Sequence, residues 1–493
     1  MAEHTKEISK ANEALRLNKL QYKETKYKPL YHFSAPSGWI NDPNGFIQYK
    51  DQYHLFYQHH PYSSDWGPMH WGHATSDDLI NWNHESVALA PTEDYDRDGC
   101  FSGSAIEKDG TLYLMYTGHT WTGENHDEDL KQVQCLAKSE DGINFNKIKG
   151  NPVIDQPNFE SVHPNHVRDP KIWMKNNTYY CVIGSKNRDN VGQVIMYESK
   201  DLKEWEFVNV ITKGEGNAGF MWECPDLFHS NGKDVLIYSP QGVKPEGCLY
   251  HNLHQSGYVV GDLDYQTGEF EHDAFQLLDY GFDFYAPQTL IDGSGRRILI
   301  AWMNMWESEM PEKEEGWAGA FTLPRELKIE NQRLIIQPIV EVKELRTDRV
   351  NYNNLLINEL KEIKGVNGQT IEIDLIVDMK NADLFGMKLC TNSEMTEKTM
   401  IQYRKSKEKL MLNRDKSGKG PIGERAAFVK LKDNRLHLNI FLDYSSLEVF
   451  INHGEKVMSA RIYPDKLSDR ILFFSDNDTE LVKLEKWKMG QKI

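Results

Sequence analysis

The sequence predicts an all-β protein: a five-bladed β-propeller followed by a C-terminal β-sandwich, with a short N-terminal helix. Two observations predict the propeller, namely a long run of short strand patterns and a sequence repeat of about 60 residues within that run. The sandwich is predicted by a change of pattern in the last third of the chain, where apolar and polar residues alternate.

The N-terminal segment is predicted to form a helix over residues 5–22. Ile8, Ala11 and Leu15 fall near one face of such a helix, and most of the other residues are Lys, Glu and Asn. We interpret this segment as a packing helix ahead of the main fold, and we assign residues 1–27 to an N-terminal helical extension.

Residues 28–338 are assigned to the propeller because of the repeat. Ser76, Ser139 and Ser199 each begin the pattern Ser-x-Asp-x-x-x-aromatic, at spacings of 63 and 60 residues. A degenerate fourth copy is expected around Asp262. A repeat of this length in a strand-rich chain is typical of propeller blades, and about 300 residues at this period correspond to five blades.

The acidic motifs of the chain keep a regular distance from this repeat. Asp42, Asp169 and Glu223 lie 36, 32 and 39 residues before the aspartate of the repeat copy that follows each of them. The innermost strands of a propeller surround its axis. If the motifs begin these strands, the three carboxylates converge at one end of the axis and share one site.

The pattern changes after residue 338. Residues 339–349 are rich in charge and are predicted to form a linker with a short helix. Beyond them Ile371, Ile373 and Leu375 alternate with acidic residues, which indicates half-buried antiparallel strands. We assign residues 350–493 to a β-sandwich that packs against the propeller; a sugar-binding role for it is the alternative.

Composition limits the partners and the compartment. The 57 Lys and Arg against 74 Asp and Glu give a net charge of −17, which opposes non-specific nucleic-acid binding. The apolar run 298–303 is far shorter than the ~20 residues of a membrane span. The polar N-terminus lacks the apolar core of a secretion signal, and the six cysteines form no Cys-x-x-Cys pair. We therefore expect a cytoplasmic protein without nucleic-acid or membrane partners, and a homodimer stays open.

Three motifs carry a carboxylate near a proline, with aromatic or cationic neighbours. They are residues 39–45 (Trp-Ile-Asn-Asp-Pro-Asn-Gly), 168–170 (Arg-Asp-Pro) and 222–226 (Trp-Glu-Cys-Pro-Asp). Cleavage of a glycosidic bond uses one carboxylate as nucleophile and one carboxylic acid as proton donor. The first motif alone is typical of a turn, so the inference of a sugar-cleaving site depends on all three.

Together with residues 101–104, 285–288 and 316–326, these motifs resemble glycoside hydrolase family 32, in order, from about residue 28 to the end. That family includes invertases, fructan hydrolases and sucrose-6-phosphate hydrolases, and its fold is a five-bladed propeller plus a β-sandwich. Residues 66–74 and 98–104 are most similar to the bacterial sucrose-6-phosphate hydrolases. The resemblance implies retaining hydrolysis of the terminal β-D-fructofuranosyl bond of sucrose 6-phosphate, giving glucose 6-phosphate and fructose, without a cofactor.

The resemblance also implies roles for the acidic residues. Asp42 is the expected nucleophile, with a pKa held down by neighbouring donors. Glu223 is the expected general acid/base, with a pKa raised by burial beside Trp222 and by nearby carboxylates. Asp169 is expected to bind fructose hydroxyls; an Arg168–Asp169 ion pair that only fixes the blade is the alternative. Cys224 is expected to be a packing residue that tunes Glu223.

Aromatic and polar residues of the motifs are candidate sugar contacts, with core packing as the alternative for each aromatic ring. The candidate substrate-binding residues are Trp39, Ile40, Asn41, Gln58, Trp66, Phe101, Ser102 and Arg168.

Neither a metal nor a cofactor is expected, because the histidines between residues 54 and 73 lack a helical His-x-x-x-His spacing. A phosphorylated sugar needs a cationic contact near the mouth of the site. Lys186, Arg188, His163 and His166 are the candidates for this contact, and solvated loop charge is the alternative for each.

Three other functions stay open at this stage. One is an invertase or short-fructan hydrolase that acts on unphosphorylated substrate. Another is a carbohydrate-binding propeller without catalysis, which would need neither Asp42 nor Glu223. The third is a fructosyltransferase, in which a sugar intercepts the covalent intermediate in place of water.

Overall fold

A computed structural model describes residues 2–21 and 25–490. Its N-terminal helix, α1 (Ala2–Gln21), occupies the predicted segment, except that Tyr22 lies outside the described residues. The helix packs on the propeller through its buried residues His4 and Ala11. His4 Nε2 accepts a hydrogen bond from the backbone N–H of Ala90 at 3.2 Å.

The five blades of the propeller follow one another along the chain. The first blade contains β1 (Gly38–Tyr49), β2 (Gln52–His60), β3 (His70–Ser76) and β4 (Asn83–His84). The second contains β5 (Gly99–Lys108), β6 (Thr111–Trp121), β7 (Leu130–Ser139) and β8 (Asn146–Lys147). The third contains β9 (Val167–Lys175), β10 (Thr178–Lys186), β11 (Gly192–Ser199) and β12 (Glu206–Lys213).

The fourth and fifth blades continue this order. The fourth contains β13 (Met221–Ser230), β14 (Lys233–Gln241), β15 (Gly257–Leu263), β16 (Phe270–His272) and β17 (Gln276–Leu277). The fifth contains β18 (Tyr285–Ile291), β19 (Arg297–Trp302), β21 (Arg325–Glu330) and β22 (Arg333–Pro338). Between β19 and β21 the chain forms β20 (Trp317–Ala318), which belongs to the first blade.

The first strands of the blades, β1, β5, β9, β13 and β18, contact one another in a ring, and β18 lies next to β1. These are therefore the innermost strands. The ring is closed by β20, which pairs parallel with β1 through Gly38 opposite Trp317 and Trp39 opposite Ala318.

Apolar side chains fill the spaces between successive blades. Leu114 of β6, for example, lies in the cluster between the first and second blades, and Leu236 of β14 lies in the cluster between the third and fourth. Both are fully buried. Burial of one such side chain contributes about 1.5–3 kcal/mol, so the contacts between blades are the main stabilising force of the ring.

The repeat forms the same turn between the third and fourth strands of three blades. In the first copy Asp78 Oδ1 accepts the backbone N–H of Asn81 at 2.8 Å, and Ser76 Oγ accepts a neighbouring N–H. The copies that begin at Ser139 and Ser199 form the equivalent hydrogen bonds. The repeat thus marks a turn stabilised by side-chain-to-backbone hydrogen bonds.

The expected fourth copy does not form this turn. Asp262 lies within β15, where its carboxylate contacts Lys233. The turn of that blade is instead made by Asp264, whose Oδ1 accepts the backbone N–H of Gln266 at 2.8 Å. The fourth blade therefore keeps an aspartate turn at a shifted position.

The C-terminal domain is a sandwich of two antiparallel six-stranded sheets. Its strands are β23 (Arg346–Ile357), β24 (Lys361–Asn367), β25 (Ile371–Asp378), β26 (Leu384–Thr391), β27 (Lys398–Arg404), β28 (Lys409–Lys416), β29 (Glu424–Phe428), β30 (Arg435–Asp443), β31 (Ser446–Ile451), β32 (Lys456–Arg461), β33 (Arg470–Ser475) and β34 (Thr479–Met489). One sheet has the order β23-β34-β25-β30-β31-β32, and the other has the order β24-β33-β26-β27-β28-β29. Ile371, Ile373 and Leu375 are buried between the sheets.

Short 3₁₀ helices occupy several connections. They are Pro311–Glu315, Val340–Leu345, Lys405–Lys407 and Asn452–Gly454. The second lies in the segment predicted as a linker, and β23 begins at Arg346 within that segment. The domain limits at residues 27, 338 and 349 stay predictions.

The propeller and the sandwich meet through buried charged groups. Arg325 of β21 contacts Glu448 of β31 at 2.5 Å and Asp279 at 3.0 Å. His32 lies between Asp443 Oδ2 at 3.0 Å and Glu448 Oε1 at 2.9 Å, with all three side chains fully buried. Charge pairing therefore contributes to the contact between the two domains, alongside apolar sandwich residues such as Phe441 and Phe450 that pack with the propeller core.

Within the described ranges, no helix combines the length and the apolar character that crossing a bilayer demands.

Candidate active site

A pocket of about 590 Å³ opens where the starts of the innermost strands meet. Nine of the residues predicted as catalytic or sugar-binding line it. They are Asn41, Asp42, Gln58, Trp66, Phe101, Ser102, Arg168, Asp169 and Glu223. The structure therefore brings together motifs that are separated by up to 182 residues in the chain.

Every innermost strand has a β-bulge at its motif, because its pairing with the second strand of the blade shifts by one residue there. The bulged positions are Asp42, Ser102, Asp169, Cys224 and Ala286, which we call the bulge ring. A bulge re-aims the side chain that it carries. A proline follows the bulged residue in four blades and a glycine in the second blade, which suits a position that is not required to donate to the ladder.

Backbone strain accompanies three of these bulges. Asp169, Cys224 and Ala286 have φ angles of 64°, 49° and 50°. Residues other than glycine rarely adopt this left-handed region, which costs about 1–3 kcal/mol and concentrates at functional sites.

Asp42 is held by donors from its own strand and from two other blades. Ser102 Oγ donates to its Oδ2 at 2.6 Å, and Asn41 Nδ2 donates to its Oδ1 at 3.0 Å. Cys224 Sγ lies 3.5 Å from Oδ2. Asn41 is in turn oriented by Trp39, whose indole N–H donates to Asn41 Oδ1 at 2.8 Å. One carboxylate is thereby fixed in direction at the base of the pocket.

Glu223 lies one position before the bulge ring and is surrounded by donors. Arg168 contacts its Oε1 through Nε and Nη2, each at 2.8 Å. Tyr285 donates its hydroxyl to Oε2 at 2.5 Å, and Gln241 Nε2 donates to the same oxygen at 2.7 Å. Arg168 therefore forms its ion pair with Glu223, in contrast to the predicted alternative of a pair with Asp169.

The pKa directions differ from the predicted ones. Burial raises the pKa of Asp42, although the hydrogen bond from Ser102 acts against it. Burial also disfavours ionised Glu223, but the charge of Arg168 and the hydrogen bond from Tyr285 outweigh it and lower the pKa of Glu223. Both predicted directions were wrong for the unliganded site: at Asp42 burial outweighs the donors, and at Glu223 the decisive donors come from other blades and are not visible in the local sequence.

Asp169 holds the proton in this cluster. Burial, followed by the negative charge of Glu223, raises the pKa of Asp169 to about 7, although the charge of Arg168 opposes the shift. Its Oδ2 accepts the backbone N–H of Cys224 at 2.9 Å. In the free site the proton is therefore favoured on Asp169 over Glu223.

Trp39 and Ile40 were predicted to contact the sugar, but they do not belong to the lining of this pocket. Ile40 is fully buried in the propeller core. Trp39 is also buried, and its ring stacks on Trp306 at 6.0 Å between centroids. Trp39 therefore acts on the site through Asn41.

The lining includes residues that the motifs did not reveal. They are His119, Trp121, His126, Asp127, Glu128, Leu130, Gln132, Phe220, Met221, Gln241 and Trp306, whereas Met69, which also lines the pocket, belongs to the motif 66–74. Of the candidate phosphate contacts, Lys186 and His166 line the pocket, whereas Arg188 and His163 do not belong to the lining. The alternation of side chains along β10 was the sequence signal that could have placed Lys186 in the pocket.

Two groups of side chains bring possible metal ligands together. Asp42, Asp169 and Cys224 each offer an atom within 4.8 Å of the others, and so do Glu128, His163 and His166 at the pocket rim. The first group is engaged in the hydrogen bonds described above. The metal-free reaction stays a prediction.

A pocket with fixed, buried carboxylates of different protonation state and aromatic edges, built on a propeller, defines a glycoside-cleaving hydrolase. The chain belongs to glycosyl hydrolases family 32: the N-terminal domain of that family matches residues 32–338 and the C-terminal domain matches residues 341–488. The resemblance to this family and the predicted fold class are confirmed.

Known relatives match along almost the whole chain. A sucrose-6-phosphate hydrolase of Escherichia coli is 42% identical over 94% of this chain and 95% of its own. A raffinose invertase of Escherichia coli is 40% identical over the same shares. A beta-fructofuranosidase of Bombyx mori, solved in complex with sucrose, is 39% identical with a TM-score of 0.86 and covers 98% of both chains.

Proposed function

We propose that this protein hydrolyses the terminal β-D-fructofuranosyl bond of sucrose 6-phosphate, with retention of configuration, to give glucose 6-phosphate and fructose. The convergence of Asp42 and Glu223 in one pocket, with Asp169 between their blades, carries the proposal. The sucrose-6-phosphate hydrolase among the relatives supports the substrate, and a phosphorylated sugar agrees with the predicted cytoplasmic location.

Asp42 is the proposed nucleophile. Its Oδ2 and Oδ1 are oriented by Ser102 and Asn41, so the carboxylate is fixed before substrate arrives. It attacks the anomeric carbon of the fructosyl unit and forms a covalent ester, while the bond to the leaving oxygen breaks. Pre-orientation of this kind lowers the entropic part of the barrier.

Glu223 is the proposed acid, but it needs a proton that the free site holds elsewhere. Fructose hydroxyls that donate to Asp169 would stabilise the Asp169 carboxylate and lower its pKa. The proton shared by Asp169 and Glu223 is then favoured on Glu223. In the free protein the negative charge of Glu223 instead raises the pKa of Asp169. Substrate binding thus prepares the acid, and the protonated Glu223 donates to the leaving oxygen.

The second step reverses these roles. Glu223, now a carboxylate, removes a proton from water in the place vacated by the leaving sugar. The water attacks the anomeric carbon, fructose is released, and Asp42 is regenerated as a carboxylate. Asp42 and the water attack opposite faces of the anomeric carbon, so each step inverts its configuration and the released fructose keeps the β-configuration.

The experiment that tests this function compares wild type with Asp42→Asn and Glu223→Gln on sucrose 6-phosphate. We expect each variant to lose at least about 10³-fold in kcat, because nucleophile and acid are each indispensable. The exposed Asp51→Asn serves as a matched control and should retain full activity. Full activity of Asp42→Asn, or release of α-fructofuranose as the first product, would refute the mechanism.

Hydrolysis of unphosphorylated sucrose is the second candidate function. The raffinose invertase at 40% identity and the neighbouring structure that holds sucrose favour it. Comparison of kcat/KM for sucrose 6-phosphate and sucrose separates the two. A preference of about tenfold for the phosphorylated sugar, equivalent to about 1.4 kcal/mol of transition-state binding, supports the first candidate; equal values support the second.

A further inference from the structure

One wall of the pocket carries polar groups that the proposed hydrolysis does not use. Lys186, His166 and His119 all line the pocket, and all are more than nine-tenths buried. A buried polar atom without a partner is costly, so the unpartnered nitrogen atoms of these side chains call for a ligand.

Strand pairing places two of these groups side by side. Val167 of β9 lies opposite Ser185 of β10, and Arg168 lies opposite Gly184. His166 and Lys186 are the next pair of opposite residues in this register. Opposite residues of an antiparallel pair point to the same face, and the face alternates along the strand. His166 and Lys186 therefore share the face from which Arg168 reaches Glu223.

Lys186 has a charge that its surroundings do not balance. In the ranges that the structure describes, its ammonium group has neither a hydrogen-bond nor an ion-pair partner. Burial lowers the pKa of Lys186, while the charges of Glu128 and Asp127 act in the opposite direction. Both of these carboxylates are exposed at the rim, so solvent screens them from Lys186.

His119 offers a neutral N–H donor. Gln132 Oε1 accepts the backbone N–H of Val167 at 3.2 Å and Nη1 of Arg168 at 3.4 Å, so its NH₂ group faces His119 Nδ1 at 3.4 Å. His119 Nδ1 is then an acceptor, and the ring proton lies on Nε2. That nitrogen is buried without a partner, as is Nε2 of His166.

We propose that Lys186, together with the ring nitrogens of His119 and His166, binds the phosphate group of the leaving sugar and that Lys186 determines the preference for phosphorylated substrate. This inference rests on the proposed function. The leaving sugar must lie against Glu223, which protonates it, and Arg168 links Glu223 to the wall that carries Lys186. An ammonium group and an imidazole N–H are suitable donors for phosphate oxygens.

The test compares kcat/KM for sucrose 6-phosphate and for sucrose in wild type, Lys186→Met and Arg188→Met. Arg188 is the matched control, because it is an exposed cation two residues away, outside the pocket lining. We expect the ratio of the two kcat/KM values to fall at least tenfold in Lys186→Met and to stay within twofold of wild type in Arg188→Met.

Two results with the variants would overturn the subsite. One is an unchanged ratio in Lys186→Met while wild type prefers sucrose 6-phosphate, which leaves the proposed function intact. The other is an equal fall of the kcat/KM ratio in Arg188→Met. Such a fall would show that long-range electrostatic attraction, and not contact with Lys186, causes the preference. A wild type that hydrolyses sucrose without any preference would instead remove the phosphorylated substrate, and the subsite with it.

A measurement on wild type covers the case in which Lys186→Met folds poorly. Glucose 6-phosphate and glucose are compared as competitive inhibitors of sucrose hydrolysis. We expect the inhibition constant of glucose 6-phosphate to be at least tenfold lower, and we expect Lys186→Arg, which keeps the charge, to retain most of this difference. Equal inhibition constants in wild type would contradict the phosphate subsite.

Discussion

At the scale of single residues, Tyr285 controls the protonation of the proposed acid. Its hydroxyl donates to Glu223 Oε2 at 2.5 Å and helps to lower the pKa of Glu223. In Tyr285→Phe the pKa of Glu223 should rise, so the alkaline limb of kcat/KM, where the acid loses its proton, should move to higher pH. The pH dependence of kcat/KM measures this shift.

Tyr57→Phe is a suitable control for this prediction, because Tyr57 is buried in the first blade and is not part of the pocket lining. Its profile should match that of wild type. An alkaline limb that stays in place or moves to lower pH in Tyr285→Phe would contradict the role of Tyr285. Because Asp169 and Glu223 share one proton, the pKa read from the alkaline limb belongs to the pair and not to one of the two residues.

Metal removal tests the chemistry of the same residues. The proposed steps use only side-chain carboxylates, so dialysis against a chelator should leave kcat unchanged within experimental error. A loss of activity that a divalent cation restores would show that Asp42, Asp169 and Cys224, or Glu128, His163 and His166, bind a metal that catalysis requires.

At the scale of elements, the inner strands are positioned by close contacts between blades. Gly184 of β10 lies between two motifs, and a Cβ atom there would approach Trp222 O to 2.4 Å and Glu223 Cα to 3.3 Å. Gly184→Ala should displace the strand that carries Glu223. Because small misplacements of a catalytic group cost up to about 100-fold, we expect kcat/KM to fall at least tenfold.

The matched control is Gly490→Ala, where an added Cβ atom meets nothing within 4 Å. It should have the activity of wild type. Circular dichroism and the melting temperature must show that Gly184→Ala is folded. If the folded variant were fully active, the backbone of β13 would have more freedom than these distances imply.

At the scale of the whole molecule, His32 couples the two domains to pH. Burial opposes its charge, but the hydrogen bonds and charges of Asp443 and Glu448 raise the pKa of His32 to about 9 from an ordinary 6.5. A raised pKa in the folded state gives stability that is fully present below pH 6.5 and is lost as pH rises through 9. The difference is equivalent to about 3 kcal/mol.

The melting temperature should therefore fall by a few degrees as pH rises from 6.5 to above 9. His32→Gln should be less stable at pH 6.5 and should lack most of this decline. His229→Gln, at a half-exposed histidine, should keep the decline of wild type. An identical decline in His32→Gln would show that other groups cause it.

The sequence was sufficient for features that a local pattern encodes. Ser76, Ser139 and Ser199 predicted the blades because each copy forms its own turn, and the motifs around Asp42 and Glu223 predicted the site. Charge states could not be predicted, because Glu223 is ionised by Arg168 and Tyr285 from other blades. Trp306 was missed because no motif surrounds it.

The bulge ring has a consequence for how this site can have evolved. Asp42, Ser102, Asp169, Cys224 and Ala286 each lie in the β-bulge of an innermost strand and are followed by a proline or glycine, and the last three share a positive φ angle. A bulge that recurs in all five blades is what repeated duplication of one blade would leave. The side chain at the bulge differs while the blade is kept: it is a carboxylate at Asp42 and Asp169 and a single methyl group at Ala286, which lies outside the lining of the active-site pocket.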